Sequence, residues 1–335
     1  MKRPITTTRT VLVDYRKAFD HIDHNILLKK MENLLPKFLL KWYASFLQGR
    51  SQSVKIGHHI SKSVTLKGGV PQGALFGMEA FILMVNDLKS NIDIYKYVDD
   101  TTLSESFSRN ENSQMQLSVS NLQQWSTTNN MMINPTKTKE MIIYFGKDKL
   151  NVPAITIDGN EIERVEEVKL VGIHITNNLK WNTHVDLMCK KASTKIYLLA
   201  HTKKSGVSSD DLLLLYKSCI RPLSEYACPV WSMSLPAYLV EKIERIQQRC
   251  LKIIFPNLKY DDAIKEARLT TLEERRLHLC KQFFNRLLNP SSRLNHLLPV
   301  QATVPLRSNR QYIPPHTNTE RFKTSYINAC LRKFQ

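Results

Sequence analysis

Apolar residues are spaced in two different ways along this chain, and the spacing changes near residue 180. Before that point, short β-branched and apolar runs, which predict strands, alternate with segments whose apolar residues recur every three or four positions, as in helices. After it, helical spacing continues to about residue 290. Strands are predicted at 10–13, 53–56, 60–66, 141–145 and 168–175, hairpins at 92–103 and 154–162, and helices at 24–48, 113–130, 181–201, 209–231, 236–255 and 272–288. Pro222 and Pro229 are expected to break or kink the helix over 209–231. The pattern predicts an α+β part followed by an α-helical part.

The predicted domain boundaries follow from these changes of pattern. Residues 1–178 form the α+β part, and residues 179–290 form the helical part. Over 291–335 the content of Pro, Ser, Asn and Arg rises and the periodicity is weak, so we expect a loosely ordered basic tail. A segment of this kind is typical of an irregular surface stretch or a binding arm.

The charge balance is strongly positive. The formal net charge is +18 and the pI is about 9.6, which favours a polyanionic partner because neutralised phosphates release counterions. A basic protein without such a partner is the alternative. No apolar stretch reaches membrane-spanning length, and the N-terminus Met1-Lys2-Arg3-Pro4 has no signal-peptide core. We therefore expect an intracellular protein that is not secreted and has no membrane partner.

The cysteines show no metal-binding spacing. None belongs to a Cys-x-x-Cys pair, so we expect reduced thiols, with a zinc site as the less favoured alternative. The six are Cys189, Cys219, Cys228, Cys250, Cys280 and Cys330.

Three aspartates occupy positions where a carboxylate is hard to explain structurally. Asp14 ends the first predicted strand, and Asp99 and Asp100 interrupt an apolar, β-prone run. Adjacent carboxylates repel each other, and a cation between them removes the repulsion. Mg²⁺ is the natural candidate because it prefers carboxylate oxygens and keeps positions open for water and phosphate. A strand-end cap for Asp14 and a turn pair for Asp99 and Asp100 are the structural alternatives.

The order of these segments resembles the reverse transcriptases of non-LTR (LINE-like) retrotransposons. A strand ending in aspartate is followed by a glycine loop that opens a helix, then by a hairpin with two aspartates, a helix and a strand. Four stretches carry the resemblance: Val13-Asp14-Tyr15-Arg16-Lys17-Ala18-Phe19-Asp20, Gly69-Val70-Pro71-Gln72-Gly73, Tyr97-Val98-Asp99-Asp100, and Asn134-Pro135-Thr136-Lys137-Thr138-Lys139. Shorter matches, such as Leu170-Val171-Gly172 and Arg221-Pro222-Leu223, extend it over nearly the whole chain.

The resemblance implies a fold and a chemistry. The fold is a ferredoxin-like polymerase palm followed by an α-helical thumb and C-terminal region. The chemistry is RNA-directed DNA synthesis from deoxynucleoside triphosphates on an RNA template with a DNA primer. Asp14, Asp99 and Asp100 would be catalytic and would hold two Mg²⁺ ions, with Mn²⁺ as a substitute. The family's use of chromosomal DNA as primer implies a nuclear or cytoplasmic protein.

The resemblance also implies a nucleotide pocket and a nucleic-acid surface. Phe19 would exclude the 2′-hydroxyl, Gln72 and Gly73 would contact the incoming nucleotide, and Lys137 would lie near the departing phosphate. Each has a plainer alternative: Phe19 a core aromatic, Gln72 a helix cap, Lys137 an exposed turn residue. Lysines of the helical part would follow the backbone of the template and primer, unless they only solvate a helix face. They are Lys190, Lys191, Lys195, Lys203 and Lys204.

The chain also departs from the family pattern. Thirteen residues precede Asp14, too few for the fingers region, and the upstream endonuclease of such elements is also missing, so we expect a palm-to-C-terminus fragment. After Gly73 the sequence has Glu79 in an apolar helix and lacks the usual Gly-Pro. The alternative function is a catalytically silent fragment that only binds nucleic acid. A different two-metal enzyme, such as a nuclease, fits less well, because it needs no nucleotide pocket.

Overall fold

The computed structural model describes residues 6–108, 111–146, 151–301 and 311–335. The chain divides into two compact units, Met1–Leu179 and Lys180–Gln335. The first unit contains a β-sheet with helices, and the described part of the second consists mainly of helices. The structure therefore confirms that the chain contains both a β-sheet and α-helices, with the strands of its sheets in the first unit.

The described part of the first unit starts with a strand, and helices and strands follow in mixed order. Its helices are α1 (His24–Glu32), α2 (Lys37–Leu47), α3 (Leu75–Met84) and α4 (Met115–Thr128). Its strands are β1 (Thr6–Val13), β2 (Ser51–Gln52), β3 (Lys55–Ile56), β4 (His59–Ile60), β5 (Val64–Thr65), β6 (Asp93–Tyr97), β7 (Asp100–Ser108), β8 (Lys139–Ile143), β9 (Thr156–Ile157), β10 (Asn160–Glu161), β11 (Glu163–Arg164), β12 (Glu167–Leu170) and β13 (Ile173–Thr176).

Five of these strands form the central sheet, in the order β11-β8-β1-β7-β6. β1 lies between β7 and β8 and is antiparallel to both, and β6 is antiparallel to β7. Alternate residues of β1 point inward, and Val11 and Val13 join a core that also contains Leu103 and Phe81. This core fixes the register of β1, because a slip by one residue would expose every inward side chain.

The sheet also buries charge. Arg9 and Glu140 are 2% and 1% exposed and form an ion pair, and Glu140 accepts a second bond from Arg164 at 2.8 Å. Arg9 also donates to Ser113 at 2.9 Å and to the carbonyl of Pro153 at 2.6 Å. The buried carboxylate is therefore paired with two guanidinium groups, which offsets its desolvation.

One predicted strand proves to be a hairpin. The run 168–175 contains β12 and β13, which pair antiparallel around Val171 and Gly172. These two residues have φ values of 44° and 84°, so the chain reverses there. The apolar run on both sides of the turn accounts for the prediction of a single strand.

The second unit consists of helices. They are α5 (Asn182–Lys204), α6 (Ser209–Leu215), α7 (Arg221–Glu225), α8 (Cys228–Trp231), α9 (Ala237–Ile254), α10 (Tyr260–Glu266), α11 (Leu272–Leu287), α12 (Glu320–Lys323) and α13 (Tyr326–Phe334). A π-helical segment, Tyr216–Ile220, joins α6 to α7, and 3₁₀ turns follow at Ser232–Ser234 and Asn295–Leu297. Pro222 and Pro229 lie in the first turns of α7 and α8, where a missing N–H is tolerated. The expected interruption of the helical segment 209–231 is found at Tyr226 and Ala227, before Pro229.

The end of the chain differs from the loosely ordered tail expected over 291–335. In its described part, α13 packs through Cys330 and Leu331, both 0% exposed, in a cluster with Phe284 of α11. Tyr326 also donates to the carbonyl of Cys280 at 2.7 Å. Helix α13 has nine residues and lies in a segment whose overall polar composition led to the expectation of a loose tail.

Two further features agree with the sequence. The six cysteines, all within the described residues, form no disulfide. No helix among the described residues combines the length and apolar character needed to cross a membrane.

Candidate active site

The three aspartates singled out from the sequence lie at one end of the central sheet. Val13 of β1 pairs with Thr101 of β7, so the next residues along these strands, Asp14 and Asp100, occupy neighbouring positions. Asp99 lies in the turn between β6 and β7, where Tyr97 pairs with Asp100. Asp14 is half-buried, whereas Asp99 and Asp100 are exposed. The antiparallel register therefore brings residues from distant parts of the sequence to neighbouring strand ends at one end of the sheet.

The turn that carries Asp99 is strained. Val98, its first residue, has a φ of 56°, in the left-handed region that a β-branched residue seldom adopts. The side chain of Val98 packs against the hydrophobic core, which holds this conformation in place. Such strain costs on the order of 1–3 kcal/mol and tends to occur at functional sites. The tight turn keeps Asp99 and Asp100 at the very end of the sheet.

The carboxylates interact electrostatically. The pKa of Asp100 is raised above its ordinary value, first by partial desolvation and then by the negative charges of Asp99 and Asp14. A divalent cation would remove this repulsion, and oxygen ligands suit Mg²⁺. In the described part of the chain, no three His, Cys, Asp or Glu side chains, Asp14, Asp99 and Asp100 included, are arranged so that together they could hold a metal ion. Mg²⁺ commonly takes one or two carboxylates together with water and substrate phosphate, so the donor set fits that ion.

The backbone of Asp14 is held by the segment that follows α4. The amide of Asn134 donates to the carbonyl of Asp14 at 2.7 Å, and the amide of Asp14 donates to Oγ1 of Thr138 at 3.2 Å. Thr138 is 0% exposed. The stretch 134–139, which carries part of the family resemblance, therefore fixes the end of β1.

The glycine loop packs closely on the segment after Asp14. The amide of Gly69 donates to the carbonyl of Ile22 at 2.8 Å, and that of Val70 to the carbonyl of Phe19 at 2.9 Å. A Cβ on Gly69 would lie 2.9 Å from the carbonyl oxygen of Asp20. On Gly77, in α3, it would lie 1.9 Å from the carbonyl oxygen of Pro71. Both glycines are required because two backbone segments approach each other here.

The residues proposed for a nucleotide pocket occupy different environments. Phe19 packs against the core and stacks on Phe81 with ring centroids 4.9 Å apart, as its structural alternative predicts. Gln72 is exposed and donates to Asp20 at 3.3 Å. Gly73 has a φ of 78° with open space around it, and Lys137 is exposed in the turn before β8.

The lysines proposed for nucleic-acid binding lie along α5. Lys190, Lys191 and Lys204 are exposed. Lys195 donates to the carbonyl of Cys219 at 2.8 Å, and Lys203 lies 3.5 Å from the carbonyl oxygen of Ile254. Lys195 is exposed as well, so four of the five side chains reach solvent, and the ammonium groups of Lys195 and Lys203 also lie against neighbouring helical segments.

Sequence reasoning missed two residues of this region. Thr138 was part of a recognised motif, but its contact with Asp14 spans 124 positions and leaves no local signal. Arg50 lines a cavity together with Gln72 and Asp20. The sequence signal that could have indicated Arg50 is the basic character of residues 50–67. This stretch has four Lys or Arg residues, two histidines and no acidic residue.

The first half of the chain matches a known family model. Residues 1–175 match the model of the reverse transcriptase (RNA-dependent DNA polymerase) family. The chain belongs to the reverse transcriptase family. The resemblance inferred from the sequence motifs is therefore confirmed for the unit that contains the three aspartates.

The relatives extend the match into the helical unit. The chain is 24% identical over 301 residues to an RNA-directed DNA polymerase from mobile element jockey of Drosophila melanogaster. The matched region covers 84% of this chain and 32% of that protein. It is 24% identical over 259 residues to a probable RNA-directed DNA polymerase from transposon X-element of the same species, over 73% of this chain and 28% of that one. The chain thus spans about a third of the length of these relatives.

A solved structure is also similar. Telomerase from Candida albicans, in complex with the TWJ fragment of telomeric RNA, matches with a TM-score of 0.36 and 13% identity, over 79% of this chain and 50% of that chain.

Proposed function

We propose that this chain carries the catalytic centre of an RNA-directed DNA polymerase of a non-LTR retrotransposon. The observation that carries the proposal is the meeting of Asp14 with Asp99 and Asp100 at one sheet edge, in a chain that belongs to the reverse transcriptase family. The substrates would be an RNA template, a DNA primer and deoxynucleoside triphosphates. Divalent metal ions, which reverse transcriptases generally use, would be held by the three carboxylates.

The fold proposed for the first unit is a ferredoxin-like palm. Its support is topological. When α1, α2 and the short strands β2 to β5 are set aside, the order along the chain is strand, helix, strand, strand, helix, strand, formed by β1, α3, β6, β7, α4 and β8. In the sheet these four strands lie side by side in the order β8-β1-β7-β6. Numbered along the chain, this is the order 4-1-3-2. That arrangement brings the ends of the first strand and of the hairpin together, as two-carboxylate metal chemistry requires. For the second unit we propose a thumb and C-terminal region.

The residues support a division of labour in nucleotidyl transfer. Bound at the carboxylates, two divalent ions would acidify the primer 3′-hydroxyl and neutralise the pyrophosphate that leaves. Asp14 and Asp99 would hold the two ions, with Asp100 beside them and the turn at Val98 keeping Asp99 at the end of the sheet. The bonds from Asn134 and Thr138 keep the backbone of Asp14 in place, so that the carboxylate needs no reorganisation during the reaction.

The nucleotide contacts are proposed on the side of the glycine loop. Gln72 would bond the incoming nucleotide, oriented by Asp20, and Gly73 would allow close approach. Phe19, fixed on Phe81, would present its ring edge as a barrier to a 2′-hydroxyl. Lys137 would lie near the departing phosphate. Lys190, Lys191 and Lys204 would contribute salt-sensitive affinity for the nucleic-acid backbone, with Lys195 and Lys203 serving mainly to hold α5 to its neighbours.

A primer-extension assay tests the proposal. The purified chain is given poly(rA)–oligo(dT), dTTP and Mg²⁺ or Mn²⁺, and incorporation of dTMP is expected to vanish in Asp99→Asn. Asp93→Asn is the matched control, because Asp93 begins the same hairpin at the opposite end of β6 and is exposed. Wild-type protein that incorporates nothing but binds RNA in a salt-sensitive way, equally in both variants, would instead identify a silent nucleic-acid-binding fragment.

A further inference from the structure

A cavity of about 590 Å³ opens beside the glycine loop of the first unit. On one side lies the base of an exposed ribbon formed by β2 to β5, and on the other lie the loop and the segment after Asp14. Its polar wall consists of Asp20, Arg50, Ser51, Gln52 and Gln72. Both Gln72, already proposed to contact the nucleotide, and the cation Arg50 therefore face the same space.

The position of Arg50 is fixed by its backbone. Its carbonyl accepts a hydrogen bond from the amide of Leu66 at 2.8 Å, and the next residue, Ser51, pairs with Thr65. Its guanidinium carbon lies 5.0 Å from the ring centroid of Phe46, a cation–π contact. The backbone and the ring thus hold the guanidinium at the cavity without using its hydrogen-bond donors.

One donor of Arg50 is left over. Nη1 is buried, and it has no hydrogen-bond partner among the described residues. Buried donors are nearly always paired, so an unpaired guanidinium nitrogen on a residue that lines a cavity has capacity for a further hydrogen bond. Arg276 also carries unpaired buried nitrogens, but it does not line this cavity. Arg9, in the same unit, shows the structural alternative, since it donates to Glu140, Ser113 and the carbonyl of Pro153.

The charge around the cavity favours an anion. Residues 50–67 contain Arg50, Lys55, Lys62 and Lys67 and no Asp or Glu. The three lysines are exposed, and so are His58 and His59 between them. Asp20 is the carboxylate on the polar wall, and Gln72 donates to it. A planar guanidinium with a free donor, next to an amide and within a basic ribbon, is suited to a phosphate group.

We propose that Arg50 is a phosphate-binding residue of this cavity, contacting a phosphate group of the polymerase substrates. The inference rests on the proposed function for the identity of these substrates. Two sources share this chemistry: the triphosphate of the incoming nucleotide and a backbone phosphate of the template or primer. In either case, Arg50 positions substrate from outside the three-aspartate site.

Two equilibrium measurements on the full chain distinguish the sources, and neither needs turnover. The first is the Kd for a fluorescent poly(rA)–oligo(dT) hybrid, without nucleotide, over a series of salt concentrations. The second is the Kd of dTTP for the complex with a dideoxy-terminated primer in Mg²⁺. Arg50→Gln is compared with Lys41→Gln, which removes one positive charge from the exposed surface of the neighbouring helix α2 without touching the cavity.

A contact with a backbone phosphate predicts that Arg50→Gln weakens hybrid binding about tenfold and reduces the salt slope by about one. A contact with the triphosphate predicts a similar weakening for dTTP with hybrid binding unchanged. Arg50→Lys, which keeps the charge but loses the fork of donors, is expected to lie between wild type and Arg50→Gln. If Arg50→Gln melts well below Lys41→Gln, Arg50→Lys takes its place in both comparisons.

The proposal is overturned if Arg50→Gln and Arg50→Lys match Lys41→Gln in both measurements. Its failure and that of the proposed function are distinguishable. A wild-type chain that incorporates no dTMP contradicts the polymerase, whereas the two binding constants still report whether Arg50 contacts phosphate.

Discussion

The amide of Asn134 donates a 2.7 Å hydrogen bond to the carbonyl of Asp14, joining residues 120 positions apart. Together with the bond from the amide of Asp14 to Thr138, it closes the end of β1 against the segment before β8. The stretch 134–139 therefore holds the backbone of Asp14, whose carboxylate we propose to be catalytic. This makes Thr138 a positioning residue, since it contacts neither substrate nor metal in the proposed mechanism.

Thr138→Val should lower kcat with little change in the KM for dTTP. The substitution removes the acceptor of the Asp14 amide and leaves that donor buried, a cost of about 1–3 kcal/mol. Thr138→Ser keeps the hydroxyl and should restore kcat, because the acceptor returns although the methyl group is lost. Steady-state primer extension measures both variants. Equal kcat values for Thr138→Val and Thr138→Ser would mean that the hydroxyl does not position Asp14.

The stability of the metal-free protein should respond to the charge of Asp100. Its carboxyl has a pKa above the ordinary 3.8, so it binds its proton more tightly in the folded protein than in the unfolded chain. Stability from this group is therefore greatest at low pH and falls as the pH rises from the unfolded pKa to the folded one. In EDTA at pH 7, Asp100→Asn should raise the melting temperature by about 1–2 °C, a small effect because the group is exposed.

The pH dependence provides the control for Asp100. At a pH well below 3.8 both proteins carry a neutral side chain at this position, in the folded and in the unfolded state, so the difference in melting temperature should disappear there. Asp93→Asn, at the other end of β6, should show no comparable gain. A marked drop in the melting temperature of Asp100→Asn would mean that the carboxylate is structural.

Removal of the buried charge of Glu140 should destabilise the sheet strongly. Glu140→Gln leaves Arg9 and Arg164 without a shared carboxylate in a buried setting, and we expect a loss of about 3–5 kcal/mol in the free energy of unfolding. Glu163→Gln is the matched control, because Glu163 lies in the neighbouring strand β11 and pairs with Lys139 while 64% exposed. It should cost at most about 1 kcal/mol. Urea unfolding compares the two, and equal losses would contradict the stabilising role of the buried network.

Gly77 should not tolerate a side chain. A Cβ there would lie 1.9 Å from the carbonyl oxygen of Pro71, so Gly77→Ala must displace the glycine loop. Such overpacking costs about 1–3 kcal/mol, and it should also raise the Kd for dTTP, because Gln72 follows Pro71. Gly206→Ala is the control. It is also strained, because Gly206 has a φ of +84°, but no atom lies within 4 Å of the added Cβ, so dTTP binding should be unchanged. Normal dTTP binding by Gly77→Ala would separate the loop from the nucleotide site.

The sequence predicted those parts of the structure whose signals are local. The strand before Asp14 and the hairpin that holds Asp99 and Asp100 follow from apolar runs interrupted by acidic residues, and the helices follow from apolar spacing. The two strands at 168–175 were predicted as one because a turn at Val171 and Gly172 lies within an apolar run. Helix α13 was not predicted because the polar composition of 291–335 as a whole was given more weight than the spacing of apolar and polar residues within the nine residues of this helix.

Other features could not be predicted because they depend on tertiary contacts. Arg9 and Glu140 were invisible as a pair, since 131 positions separate them and charged residues are normally exposed. The orphaned donor of Arg50 depends on the packing of Phe46 and Leu66 around it. The family resemblance implied that Asp14 and Asp100 lie near each other, and the register of β1 and β7 places them at neighbouring strand ends.

Iron-directed cleavage tests the central claim, that Asp14, Asp99 and Asp100 share one divalent-cation site. Fe²⁺ takes the place of Mg²⁺, and with ascorbate and peroxide it generates radicals that cut the backbone close to the bound ion. Mass spectrometry of the wild-type fragments should show cuts near residue 14 and near residues 99–100 together. Excess Mg²⁺ should suppress both, Asp99→Asn should abolish both, and Asp93→Asn should keep them. Cuts at only one of the two segments, or cleavage unchanged in Asp99→Asn, would contradict a shared site.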